Sequence, residues 1–394
     1  MDMSQQETHD VVVVGAGVGG LAAATALTAA GRETVVLEAR DRVGGRLLSI
    51  PAEGGAMDLG ASWFWDNEPF VAQLAKDLGL ESFAHRLAGD TMLQTAEGVR
   101  RYSGNLVEGP SRRFVNGTYG LARGMAVRLP ERALRLNTPV TAIRPAADGL
   151  EVRAADTVLR AGHLVLAVPP ALAVAGIDFD GRLSADLVEV ARFTPVWMGA
   201  VAKVLARYPR PFWRAAGLAG AGMSRVGPLQ EVHDISGPDG TPAVLFGFAP
   251  TRLAGRPGFE EEVRAQLAAM YGPEAGEPSE LLVQDWGQEE WTSPGDGHRL
   301  TAYQLFGHDL YQQPALDGRL HWASTETSPD FAGHVEGGTR RGGASDPCDP
   351  GRLNPTFRYL RKATACTAST PCCASTTVPV RTPTTCGRTS PRTR

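Results

Sequence analysis

One lysine stands where a lysine is costly. The segment "TPVWMGAVAKVLARYPRPFWR", Thr194 to Arg214, reads as a strand over Gly199 to Tyr208. Alternation puts Ala200, Ala202, Val204 and Ala206 on one face and Val201, Lys203 and Leu205 on the other. A charged amine among apolar neighbours loses hydration, so it needs a partner or a task. The bland alternative is an edge-strand lysine whose end reaches water. The chain has only two other lysines, Lys76 and Lys362, against many arginines. That bias fits a GC-rich, bacterial genome.

A second constellation lies at the other end of the chain. In "DVVVVGAGVGGLAAATALTAAGRETVVLEARDRVGGR" a β-branched run, Val11 to Val14, leads into Gly15, Gly17 and Gly20, with Gly19 between them. An Ala-rich helix follows, then a strand from Thr34 to Leu37, closed by Glu38. In such a unit the first glycine permits a tight turn, the second lets a pyrophosphate approach the backbone, and the third lets helix and strand pack closely. The helix start offers free N–H groups to phosphate, and an acid at the position of Glu38 holds ribose hydroxyls. Ala39 and Arg40 follow the acid. "DRVGGR" then supplies a second close backbone approach at Gly44 and Gly45, with Arg46 placed to neutralise pyrophosphate charge. The small-residue turn Gly60, Ala61, Ser62 runs into Trp63 and Phe64.

The elements that must position these groups are those of an α/β protein. The chain's 394 residues suffice for two domains or one large α/β unit. Apolar content of 43% and a net charge of −4 are ordinary for a globular protein and give no electrostatic case for nucleic acid. The N-terminus lacks the basic-then-apolar pattern of a secretion signal, and no apolar run is long enough for a membrane span. All five cysteines lie at Cys348 or beyond, so the body has no thiolate metal site; it fits a reducing cytoplasm, and no metal is expected. Three strands are expected in the middle, around Val140 to Ile143, "GLEVRA" and "HLVLAVPP", with an amphipathic helix over Glu260 to Gly272.

Taken together, the motifs resemble the flavin-containing amine oxidase family, which includes monoamine, polyamine and L-amino-acid oxidases. The resemblance covers about residues 10 to 338. It rests on the glycine loop with "DRVGGR", on "GGAMDLGASWFW", on Lys203 followed by "PFW", and on "GRLHWASTETSPDFAGHVEGG" near the end. It implies an α/β fold: a Rossmann-like FAD-binding domain from 8–79, 115–195 and 287–338, and a discontinuous α+β substrate domain from 80–114 and 196–286. Lys203 would hold a water beside the reactive flavin nitrogen. Val140 would meet the adenine side through its backbone. Thr325 and Glu326 would serve the ribityl or phosphate side through backbone and hydroxyl groups, not through the charge of the acid, and His334 and Val335 would open a final helix aimed at the flavin ring. Trp63, Phe64, Trp291 and His334 would wall the substrate cavity. A neutral amine would pass a hydride to FAD, dioxygen would reoxidise the flavin with release of hydrogen peroxide, and water would hydrolyse the imine. No acid–base pair is legible in the site segments. A C–C desaturase or porphyrinogen-type oxidase, and an inactive flavin-binding remnant, are the alternatives.

The chain departs from the family pattern in four places. His334 stands where an aromatic cage residue is usual, and no aromatic stands near Gly295 to His298, which puts a simple monoamine in doubt. No cysteine is available there to bind FAD covalently, so FAD is expected to be non-covalent. The helical insertion that usually roofs the cavity is missing or short between "VRRYSGNLVEGPSRRF" and "LNTPV", which leaves the site open or roofed by a partner. Finally, residues 339–394 carry ten Lys plus Arg, two Asp and no Glu, with little apolar content. They read as a disordered tail or as the product of a shifted reading frame.

Overall fold

The computed structural model describes residues 7–295 and 302–343. Two seven-stranded sheets organise them. The first runs Val140–Ala146, Gly149–Ala154, Thr157–Leu166, Glu7–Val14, Thr34–Leu37, Leu134–Arg135, and Leu320–Trp322 joins the far half of Thr157–Leu166. Its centre is parallel. The valine run explains why. Val11 and Val13 enter one core with the helix Val18–Ala29, while Val12 and Val14 enter another with Leu150, Leu164 and Trp322. A strand buried on both faces must be apolar at every position.

Gly15 follows this strand with φ +97°, a conformation that disfavours any side chain. The glycine loop then enters the helix Val18–Ala29. A Cβ at Gly20 would lie 1.9 Å from the carbonyl oxygen of Gly15, so strand and helix meet there without a side chain between them. The same helix receives the end of the described chain. A Cβ at Gly19 would lie 2.2 Å from Ala323 O, and one at Gly342 would lie 2.3 Å from Gly19 O.

The second sheet runs Glu280–Asp285, Val201–Tyr208, Ala243–Pro250, Glu231–Asp234, Leu218–Ser224, Asp90–Thr95, Gly98–Tyr102. Val204 and Ala206 face the helix Phe259–Tyr271 through Val263, Leu267 and Met270. Leu205 and Phe246 face Met57, Leu59 and Trp63, the small-residue turn and its flank. Lys203 shares the face of Leu205, so it points toward the first half of the chain. The expected strand begins at Val201 rather than Gly199, because Trp197–Ala200 forms a 3₁₀ turn.

The abrupt change of composition near Gly338 does not end the helix. Val335–Arg341 is helical, and both Thr339 and Arg341 are buried. These residues correct the expectation of a structureless tail from Thr339. The rest of that expectation, 344–394 with every cysteine, lies outside the described residues, as do 296–301. Among the described residues no helix is long and apolar enough to cross a membrane, and no cluster of His, Cys, Asp or Glu could hold a metal ion.

Candidate active site

A cavity of about 910 Å³ lies between the two sheets. The end beside the glycine loop is lined by Gly15, Gly17 and Gly19, by Glu38, Ala39 and Arg40, and by Gly44, Gly45 and Arg46. Val140, Thr325 and Val335 also line it. Gly17 caps the first helix, and a Cβ there would meet nothing within 4 Å. That gap, beside the free N–H groups of a helix start, fits a pyrophosphate. Glu38 is buried and tied to the loop itself: its carboxylate accepts from Ala16 N–H at 2.6 Å and Arg40 N–H at 2.9 Å. The loop is therefore held in shape by the acid that would meet a ribose.

Two charged residues have partners that sequence spacing did not show. Arg40 reaches Glu289 at 3.0 Å and Thr292 at 2.8 Å. Arg46 forms a forked pair with Glu326, at 2.5 and 3.2 Å. The Glu326 carboxylate is thus turned away from the cavity, which its neighbours Ser324 and Thr325 line instead. Gly20 also stays out of the cavity, as its packing against Gly15 requires.

The other end is built on Gly60, Ala61 and Ser62, which line the cavity together with Lys203. Lys203 is 1% exposed. Its ammonium donates to Gly60 O at 2.8 Å and to Ser62 Oγ, and it stands 4.2 Å from the centre of the Phe246 ring. Burial lowers its pKa to about 7; Asp58 opposes the shift and Arg113 adds to it. Such a lysine can exchange its proton near physiological pH. Across the sheet Lys203 lies opposite Phe248, and Phe248 opposite Glu231, so the three share one row and one face. All three line the cavity.

Trp63 and Trp291 line the cavity, joined by Trp65, Trp197 and Phe248. Phe64 does not, which corrects its assignment to the wall. Its N–H and C=O pair with Arg112, at 3.0 and 2.8 Å, and its ring stacks on Phe114 in the core. Backbone alternation sends Trp63 and Trp65 one way and Phe64 the other. His334 lines the cavity, and here the structure adds what the sequence hid. Its Nδ1 lies 2.7 Å from Oε1 of Glu68, and its ring lies 5.0 Å from that of Trp65. The acid–base pair that no segment displayed is assembled from residues 266 positions apart. The second cage position falls near Gly295 to His298, and of these only Gly295 is among the described residues.

A glycine-rich loop of the dinucleotide-binding type that opens onto the same chamber as one buried lysine fits a redox enzyme. The family profile described as "Flavin containing amine oxidoreductase" matches residues 18–102 and 87–344. The chain belongs to this family of enzymes, which oxidise amines with a flavin. The putrescine oxidase of Kocuria rosea is 28% identical over 452 aligned positions, covering 85% of this chain and 93% of its own. The aligned positions outnumber the residues of this chain, so that relative carries insertions this chain lacks. Among solved structures, cyclohexylamine oxidase from Brevibacterium oxydans has a TM-score of 0.76 at 22% identity, over 91% of this chain and 99% of its own. Putrescine oxidase bound to putrescine has a TM-score of 0.72 at 24% identity, over 85% and 97%. These two likenesses establish the fold.

Proposed function

We propose that this chain holds FAD non-covalently and oxidises the C–N bond of a small amine or amino-acid-like substrate, with dioxygen as electron acceptor. The carrying observation is the single cavity that joins Gly17 and Glu38 at one end to Lys203 and His334 at the other. Bound flavin supplies the hydride acceptor and the means of returning electrons to dioxygen as hydrogen peroxide. The protein's residues do the rest. Gly15, Gly17, Glu38, Gly44 and Gly45 hold the nucleotide, and Val140, Thr325 and Val335 border it. Lys203, fixed by Gly60 and Ser62, would orient a water beside the reactive flavin nitrogen. Trp63, Trp65, Trp197 and Phe248 make an apolar wall that excludes bulk water and favours an uncharged amine. Cysteines lie only beyond the described residues, at Cys348 and after, which supports non-covalent binding. The cysteine-free body supports a cytoplasmic setting.

The test is the visible absorption spectrum of the purified protein, then anaerobic addition of amines. A flavin spectrum that bleaches with an amine is the expected result. A protein that takes up no FAD, or whose flavin no amine reduces, overturns the reading and returns the chain to an inactive scaffold.

A further inference from the structure

The geometry points to Glu68 and His334 as a proton-accepting dyad: His334 Nε2 takes the proton from the substrate ammonium before C–H cleavage. The inference rests on the amine-oxidising reading above and deepens it.

Glu68 is 1% exposed, and nothing about its sequence context marks it. It precedes the helix Pro69–Leu78. Its Oε2 accepts from the N–H of Trp65 at 3.0 Å, which fixes the carboxylate in place. Its Oε1 faces His334 Nδ1 at 2.7 Å. A carboxylate at Nδ1 holds the proton on that nitrogen and leaves the lone pair on Nε2. Among the described residues Nε2 has no protein partner, and the His334 side chain is 40% exposed while lining the cavity. The Trp65 ring, 5.0 Å away, fixes the imidazole plane from one side, and Phe331 approaches from another at 6.1 Å. The arrangement is a base oriented by a third group, the usual sign of proton transfer.

The chemistry gives such a base a task. An aliphatic amine is an ammonium at neutral pH, with a pKa near that of lysine, about 10.4. An ammonium nitrogen has no lone pair to form the C=N bond as the hydride leaves. The N–H bond must break first: the proton goes to Nε2, the electron pair stays on nitrogen, and the resulting imidazolium is stabilised by Glu68. The other charged groups nearby are already engaged or stand apart. Glu336 accepts from Phe70 and Val71 N–H, Arg340 pairs with Asp330, and Lys203 is held by Gly60 and Ser62. At the far end of the cavity Glu38 is held by the Ala16 and Arg40 N–H groups, Arg40 by Glu289 and Arg46 by Glu326, and Glu231, Glu290 and Tyr303 complete the titratable groups on its wall.

The experiment is anaerobic flavin reduction by a primary alkylamine as a function of pH, in wild type, His334→Phe and Glu68→Gln. Wild type is expected to reach half its limiting efficiency well below the pH at which the free amine ionises. His334→Phe should need the amine's own ionisation, move the half-point up by two units or more, and reduce flavin about a hundredfold more slowly at pH 7. Glu68→Gln should shift the profile in the same direction by less. Superimposable profiles would overturn the inference. Should His334→Phe emerge without flavin, wild type alone decides. With ¹⁵N-histidine and tert-butylamine, which has no α-hydrogen to lose, one imidazole should pass from neutral to protonated on binding, and no such change would overturn the inference. Failure of the underlying reading looks different: no amine bleaches wild-type flavin at any pH.

Discussion

Arg46 and Glu326 lie 280 residues apart and form a forked ion pair behind the wall of the cavity, beside the glycine loop. The pair bolts the C-terminal signature to the N-terminal loop. Its two members are unequally buried, with side chains 21% and 1% exposed. The consequences of breaking it should differ accordingly. Arg46→Ala leaves a carboxylate buried without its cation and should cost roughly 3–5 kcal/mol. Glu326→Gln leaves an arginine that still reaches water, and should cost clearly less. Urea unfolding of the two variants checks the order, and equal losses would show that the burial difference is immaterial.

Gly17 and Gly20 lie three positions apart in sequence and have opposite surroundings. A Cβ at Gly17 enters open cavity, while one at Gly20 would lie 1.9 Å from a backbone oxygen. Gly17→Ala should fold with near-native stability and lose FAD affinity, since the methyl occupies the approach to the helix start. Gly20→Ala should unfold or lose several kcal/mol, on the order of an overpacked core site. Flavin content measured beside a urea midpoint separates the two. A Gly17→Ala protein that keeps full flavin affinity would place the pyrophosphate elsewhere.

The legible parts of this site were local. The valine run, the glycine spacing and Glu38 all fall within one strand–helix–strand unit, where side-chain period and turn chemistry act over a few residues. Lys203 was legible for the same reason: an apolar strand makes one charge conspicuous. The missed features join distant segments. Nothing near Glu68 announces His334, and nothing near Glu326 announces Arg46, because those contacts arise only when the C-terminal segment is laid on the first helix through Gly19, Gly338 and Gly342. Phe64 is a different case. Strand alternation already separates it from Trp63 and Trp65, so the period, applied there, would have placed its ring in the core.

Glu108 stands between two histidines, 2.8 Å from His233 Nδ1 and 3.2 Å from His85 Nε2. Burial pushes its pKa up, but the bonds to His233 and His85 outweigh this and hold it at about 2. Burial pushes His233 down, and Glu108 and Glu231 outweigh that and raise it. The carboxylate's contribution is full above its unfolded value, about 4.3, and is lost as pH falls toward its folded value. The imidazole's contribution is full below its unfolded value, about 6.5, and is lost as pH rises through the raised folded value. The stability difference between wild type and Glu108→Gln should therefore peak between about pH 4.3 and 6.5 and decline on both sides. A difference that stays flat across the range would mean the histidines do not feel Glu108.

Lys203 gives the opposite slope from His233. Its folded pKa is about 7, below the ordinary lysine value of 10.5, with burial as the first cause. Between these values the unfolded chain binds a proton that the folded chain does not. Stability therefore rises with pH across that window, by at most about 1.4 kcal/mol per unit. Below pH 7 both states are protonated, and the full cost of the buried ammonium remains. Lys203→Met removes the titration, so wild type should gain on the variant from pH 7 upward and lose to it below. Activity should move the other way. On the proposed role of Lys203, the variant would lack the donor that orients water beside the flavin, and its flavin turnover should fall on the order of a hundredfold. A more stable, slower enzyme at neutral pH is the expected pair of results, from urea unfolding and from rapid-mixing kinetics on the same preparation. A variant that loses stability at pH 6 would show that Gly60, Ser62 and the Phe246 ring compensate the charge more fully than burial penalises it.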